Sequence, residues 1–136
     1  MDRVINLLKK TDSMTLATSS NDKPRASVLE HHVVGNDTIV FCTSCKSIKG
    51  KNLAQNKQVS ISVLNIPEMA TIDGIVTRPT IEEIAEFNEG LLAKHPDFET
   101  MLDESDMCYF KVVIDTAYYV NMSNGSMDAV VMKAQP

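Results

Sequence analysis

The residues best equipped for chemistry lie in one stretch, FCTSCKSIKGKNL, residues 41–53. It carries a C-x-x-C (Cys42, Cys45), the hydroxyls of Thr43, Ser44 and Ser47, the lysines Lys46, Lys49 and Lys51, and no acid. Three chemistries suit such a set: a redox dithiol, half of a metal site, or a loop that holds a phosphate. For a dithiol, an apolar strand running into C-x-x-C and then a helix is the order that lowers a thiolate pKa. The sequence lacks the alternating βαβ start of such a fold, however, and Pro79 leads into a helix rather than a strand. A structural zinc wants four ligands, usually from two close pairs. Here the only other cysteine is the distant Cys108, and His31 and His32 are neighbours on a predicted strand, so they face opposite ways. No metal site is expected. An odd count of three cysteines, in what reads as a reducing compartment, also makes a disulfide framework unexpected.

The phosphate reading uses more of the stretch. A helix starting near Ser47 presents unpaired backbone N–H groups and the positive end of its dipole. Lys46 and Lys49 add charge, and Arg25 opens a strand expected to reach the same rim. An arginine fork, a lysine and two hydroxyls match a phosphate dianion. On composition alone, a solvated turn and helix accounts for these residues equally well.

The wider composition frames this site. The chain has 136 residues, 43% hydrophobic and 23% charged, which suits one soluble domain spanning 1–136. Its net charge of −5 is unevenly spread. Thr38 to Pro67 holds four lysines and no acid, whereas Glu68 to Asp106 holds eleven acids against Arg78 and Lys94. That basic island is too small for a nucleic-acid face but suits one small anion. No apolar run approaches a membrane span, and MDRVINLLKK lacks the long apolar core of a signal peptide, so a cytoplasmic protein is expected.

The elements that must position the site follow from periodicity and turn chemistry. A short amphipathic helix is predicted over 3–10, and strands over 14–19, 25–34 and 38–43, with turns at SNDKP and GND. A polar helix over 47–56 precedes strands at 58–65 and 69–78, the latter with Gly74 as a bulge candidate. Thr80 and Glu83 form a capping box for a helix ending near His95, in the acidic segment 80–106 that reads as an insertion or cap. Strands at 106–115 and 116–122, an Asn-Gly hairpin at SNGS and a last strand at 129–133 complete the chain. The expected fold is mainly β: an antiparallel split β-barrel of six or more strands with short helices packed around it.

The ordered set of pieces over residues 5–65 resembles the pyridoxamine 5′-phosphate oxidase-like family of FMN-binding split β-barrels. The pieces are a strand ending in Ala-Thr, a turn with Asp and Pro, and a hairpin into a strand ending in Thr. S-x-K, N-L in a short helix and V-S-I in the next strand follow. From 66 to 122 the likeness is in strand order only. The resemblance implies a homodimer with FMN at the subunit interface. It assigns Arg25, Ser47 and Lys49, helped by Thr43, to the FMN phosphate, and the backbone of Ala26, Ser27 and Val28 to the ring and ribityl chain. Cys42 is placed near the cofactor, and Asn52 matches the N-L pair and orients the loop. Oxidases proper carry lysine where this chain has Glu30, arginine where it has Ile48, and a C-terminal Arg-x-His that MDAVVMKAQP lacks. The resemblance thus implies retained FMN without vitamin B6 chemistry: a flavin-dependent oxidoreductase of unknown substrate, with a nicotinamide or other small electron donor. Alternatives are a non-enzymatic FMN electron carrier or redox sensor, or a binder of deazaflavin or haem. No catalytic residue is assigned; Glu30, His31 and His32 are expected at the surface or an interface.

Overall fold

A computed structural model of the chain describes residues 1–103 and 106–134. Helix α1 (Asp2–Lys10) leads into β1 (Ser13–Ser20), which turns through Asn21 and Asp22 into β2 (Lys23–Glu30). Both turn residues have positive φ, 52° and 62°, the geometry that joins two twisted strands through two residues. The short β3 (His32–Val34) pairs with β4 (Thr38–Ser44); then come α2 (Ile48–Gln55), β5 (Gln58–Asn65) and β6 (Glu68–Thr77). A helical segment follows: α3 (Ile81–Lys94), a 3-10 turn at Pro96–Phe98 and α4 (Glu99–Leu102). The long β7 (Met107–Asn121) and the short β8 (Val130–Lys133) finish the chain. Among the described residues, no helix is long and apolar enough to cross a membrane.

All eight strands form one antiparallel sheet in the order β2-β1-β5-β6-β7-β4-β3, with β8 also pairing with β7. Its two end strands, β2 and β3, are separated in sequence by His31 alone. The sheet must therefore curl until its ends meet at that residue. The predicted strand 25–34 thus breaks at His31, because its first part pairs with β1 and its second with β4. Helix α1 plugs the curl with Val4, Ile5, Leu7 and Leu8, packed among Leu16, Ile39, Phe41, Ile61 and Ile72.

A second, smaller core lies outside the sheet. Val40 on β4 and Val34 on β3 pack against Phe87 and Leu91 of α3, with Cys42, Phe98 and Tyr109 beside them. Strand β4 thus buries both faces, Ile39 and Phe41 inward and Val40 toward α3. That is why TIVFC reads as an unbroken apolar run rather than an alternation. The acidic segment is a cap on this outer face. Its capping box forms as expected, with the Thr80 N–H donating to Glu83 Oε1 at 2.8 Å. Lys111–Glu83 (3.1 Å), Gly35 N–H to Glu86 Oε2 (2.5 Å), Lys94–Asp12 (2.7 Å) and His95–Glu30 (2.6 Å) tie it down along its length.

Three further expectations change. The strands at 106–115 and 116–122 are one strand, whose register against β6 shifts between Asp73 and Gly74. The unpaired extra residue is Asp115, so the polar pair that looked like a strand end is a bulge opposite Gly74. The hairpin of the last two strands forms, but not through a tight Asn-Gly turn: Met122–Asn124 make a 3-10 turn closed by Gly125 at φ 80°, and pairing with β8 starts only at Tyr119–Val130. Finally, Cys45 and Cys108 are joined in a disulfide, and Cys42 is the free thiol. The pairing is invisible to sequence spacing, since β4 lies beside β7 only in the folded sheet, with Thr43 opposite Cys108.

His31 is buried, not at the surface as its strand position suggested, with 2% of its area exposed. Its Nε2 lies 2.8 Å from the Leu8 carbonyl, which can only accept, so Nε2 carries the proton and the buried Nδ1 is left without a partner. Desolvation holds the imidazole pKa below its usual value. As pH falls through about 6.5, the unfolded chain binds a proton that the folded ring resists, so stability is complete above that pH and lost toward the folded pKa. The residue should therefore lower stability as pH falls from 7 toward 5. His31→Gln, which keeps a donor for Leu8 but does not titrate, should flatten that slope in urea unfolding midpoints. An unchanged slope would place the acid sensitivity elsewhere.

Candidate functional site

The site is built where β4 ends and α2 begins. Ser47 caps α2, its Oγ accepting from the Gly50 N–H at 3.1 Å and donating to the Ser44 carbonyl at 2.7 Å. The Thr43 hydroxyl, almost fully buried, stands 3.1 Å from the same Oγ. With Gly50 capped, the Ile48 and Lys49 N–H groups remain at the helix start without an intrahelical acceptor. They are the donors this end offers to an anion.

Gly50 makes the tight turn possible. A Cβ at this position would overlap the Ser44 carbonyl oxygen and stand 3.0 Å from the Cys45 backbone. Asp106, just before β7, holds the loop from the other side: its carbonyl accepts from the Cys45 N–H at 2.7 Å and its carboxylate from the Ser44 hydroxyl at 3.1 Å. Sequence reading missed both residues. A lone glycine inside a helical pattern was the available signal for Gly50; Asp106 had none, being 62 residues from Ser44.

The expected site residues divide between two hollows flanking the start of α2. A hollow of about 390 Å³ is lined by Arg25, Ile48 and Asn52 together with Ser20, Asn21 and Pro24. The other, about 350 Å³, is lined by Val28, Cys42, Thr43 and Lys49 and runs under the cap to Phe87, Leu91 and Phe98. Thr43, Ser47 and Lys49 are therefore gathered at one helix end, and Arg25 approaches its first residue from the other side. Among the described residues, neither Arg25 nor Lys49 forms an ion pair. Ala26 is exposed, Ser27 is half-buried and Val28 is 72% exposed on β2, which is an end strand of the sheet with one outer edge unpaired. The Asn52 amide donates to the buried Thr18 hydroxyl at 3.0 Å, tying α2 to β1.

Cys42 faces the cap, and burial pushes its thiol up to about 11. A thiol so protonated is neither a nucleophile nor a metal ligand near neutral pH. Glu30 is drawn away from β2 into its pair with His95, and its second oxygen is buried without a partner. Among the described residues, no cluster of three metal-ligating side chains occurs.

Residues 2–121 match the family model described as pyridoxamine 5′-phosphate oxidase. The chain belongs to this family. No curated protein matches it significantly in sequence. Among solved structures, a haem-binding protein from Mycobacterium smegmatis superposes with a TM-score of 0.78 at 24% identity, covering 95% of this chain. The chain spans only 56% of that protein's length. A NimC/NimA family protein from Clostridium acetobutylicum gives a TM-score of 0.75 at 18% identity, covering 98% of this chain and 93% of its own. The haem storage protein HutZ from Vibrio cholerae gives 0.68 at 15% identity, covering 83% and 88%. At these identities the likeness is one of fold. Family membership accounts for the order of strands and the short helix after β4; the fit of a ligand rests on this chain's own residues.

Gly50→Ala tests the loop geometry. In an ordinary helix this change stabilises by roughly 1 kcal/mol. Here the added methyl meets backbone, so the variant should instead lose about 1–3 kcal/mol in urea unfolding. Amide exchange over 44–50 should quicken. A stabilised variant would mean that the loop does not depend on this close approach.

Proposed function

We propose that this protein binds FMN and works as a flavin-dependent oxidoreductase of a substrate other than pyridoxamine 5′-phosphate. The observation that carries the reading is the pair of cations, Arg25 and Lys49, that form no ion pair among the described residues and stand on either side of a helix start with free N–H groups. That donor set fits a phosphate monoester: charge-assisted contacts from two side chains and N–H donors from Ile48 and Lys49, with the Thr43 hydroxyl holding Ser47 at the helix start. The unpaired edge of β2 along Ala26, Ser27 and Val28 offers backbone groups to a flat ring. FMN bound there would supply the electron chemistry, and the chain's residues would position it and set its surroundings. The apolar hollow from Val28 to Phe98 would keep water from one side of the ring. A nicotinamide or another small donor would deliver the electrons.

A homodimer with FMN between subunits belongs to the same proposal. Val28 on β2, and Ile75 opposite Val113 on the outer face of the sheet, are exposed apolar residues that a second copy would cover. The alternative of a non-enzymatic FMN carrier or sensor rests on the same donor set; steady-state oxidation of NADH or NADPH separates the two. Haem is less well served, because none of the three histidines lines either hollow beside α2. The spectrum of the purified protein distinguishes them, with flavin bands near roughly 370 and 450 nm against a haem band near 400 nm.

Lys49→Ala should weaken FMN by about tenfold or more, since a charge-assisted contact contributes roughly 1.5–3 kcal/mol, and leave riboflavin nearly unchanged. Calorimetric titration with both ligands reads this directly, and light scattering of the FMN-loaded sample should give the mass of a dimer. Equal losses for the two ligands would remove the phosphate assignment; a monomer with FMN tightly bound would remove the interface.

Glu30 places negative charge where the oxidases use lysine, and it is committed to His95. The protein should therefore release hydrogen peroxide from pyridoxamine 5′-phosphate far more slowly than about 1 per second. Glu30→Lys should not rescue turnover, because the change breaks the tie to the cap through His95. Turnover by the unmodified protein at that rate would return it to vitamin B6 chemistry.

A further inference from the structure

We propose that the Cys45–Cys108 disulfide is a thiol–disulfide exchange site that latches the anion-binding loop, closed when oxidised and released by a dithiol reductant. Cys45 sits inside the loop, between Ser44 at the end of β4 and Ser47 at the start of α2. Cys108 is the second residue of β7, and the bond joins chain segments 63 residues apart across a Cα–Cα distance of 5.3 Å.

The bond acts on the atoms that shape the site. The Ser44 carbonyl, one residue from Cys45, accepts from both the Ser47 N–H (3.1 Å) and the Ser47 hydroxyl (2.7 Å) and lies against Gly50. Without the disulfide, the β4–β7 ladder still ends at the Ser44–Met107 pair, and beyond it Cys45 is held against β7 by the Asp106 carbonyl, with the Asp106 carboxylate on Ser44. Asp106 and Cys108 also lead out of the cap, so the same bond fastens the cap's exit to the loop.

Three observations suit exchange. Cys45 and Cys108 are half-buried, not sealed in the core. Cys108 lines an open cavity of about 490 Å³ whose wall also carries Lys57 and Arg78, and cations there favour the approach of a thiolate, the attacking species. Cys42 packs instead against the small core of Val40, Phe87 and Leu91, and burial pushes its thiol up to about 11. The step balances as ordinary exchange. One thiolate of the dithiol attacks a sulfur of the bond and forms a mixed disulfide, releasing the other cysteine as a thiolate that takes a proton. The second thiolate of the reductant then attacks its own partner's sulfur and releases the remaining cysteine. The dithiol leaves as a disulfide, two electrons poorer.

The ligand arm of the test rests on the FMN reading; the loop arm does not. The full chain, oxidised or treated with dithiothreitol, is followed by thiol alkylation and mass under denaturing quench, amide exchange over 44–50, and FMN titration. Oxidised protein should show one alkylated thiol and reduced protein three. Reduction should speed exchange over 44–50 by at least about tenfold and weaken FMN by a similar factor. Cys45→Ser/Cys108→Ser should match the reduced protein and ignore dithiothreitol, while Cys42→Ser should keep the response. If the double variant is too unstable to study, reduced wild-type protein carries the comparison. Faster loop exchange with no FMN binding in either state would sink the FMN reading and support the latch. Equal loop exchange in the two redox states, or a pair that stays reduced in an oxidised dithiothreitol buffer, would overturn the latch.

Discussion

One residue, His31, carries the chain from one end of the sheet to the other, and the rest of the architecture depends on that corner. Its N–H donates to the Asp12 carbonyl at 3.1 Å and its ring to the Leu8 carbonyl at 2.8 Å. Both acceptors belong to the end of α1 and its exit, so the helix that plugs the curl and the corner that closes it are held by the same side chain. A strand that stayed paired with β1 throughout would leave β4 as an uncovered apolar edge, a hazard for association. The buried ring costs desolvation, which its single strong hydrogen bond and the packing of α1 offset.

From that corner the position of the site follows. Glu30 and His32 flank His31, and both meet the cap: Glu30 through His95, and His32 through Gly90, where a Cβ would come within 2.6 Å of the imidazole. The cap is thus docked on the corner at its C-terminal end and on Lys111 at its N-terminal end. Between these anchors it covers the outer face of β4, whose last residues run into the loop before α2. The hollow beside Lys49 exists because the cap bridges those two anchors without filling the space between Val28 and Phe98.

Local chemistry made much of this legible. The Thr80 capping box and the alternation of QVSISVLN each depend on residues a few positions apart and formed where sequence placed them; the turn expected at SNDKP narrows to Asn21-Asp22, and the helix expected from Ser47 begins at Ile48 with Ser47 as its cap. What sequence hid were pairings over long separations. The strand 25–34 has uniform β propensity, so nothing local marks the change of partner at His31. Asp115 looked like a strand end because a bulge and a turn share the same polar signal. Of the candidate site, the helix start with Thr43, Ser47 and Lys49 was readable; the Asp106 clamp was not, for it is made by β7 lying beside β4.

The disulfide shows most plainly how a correct premise misled. An odd count of three cysteines argues against a disulfide framework, and among the described residues a single bond forms. A single bond at the rim of the proposed anion site, between half-buried sulfurs, is the placement expected of a cysteine pair that cycles. The C-x-x-C that drew notice is split by its geometry. Cys42, partly buried, packs against the cap's core, whereas Cys45, three residues on, emerges into the loop and meets Cys108. Spacing suggested that the two act on each other. The strand ending at Ser44 turns them to different neighbours, and so separates packing from redox chemistry within four residues of chain.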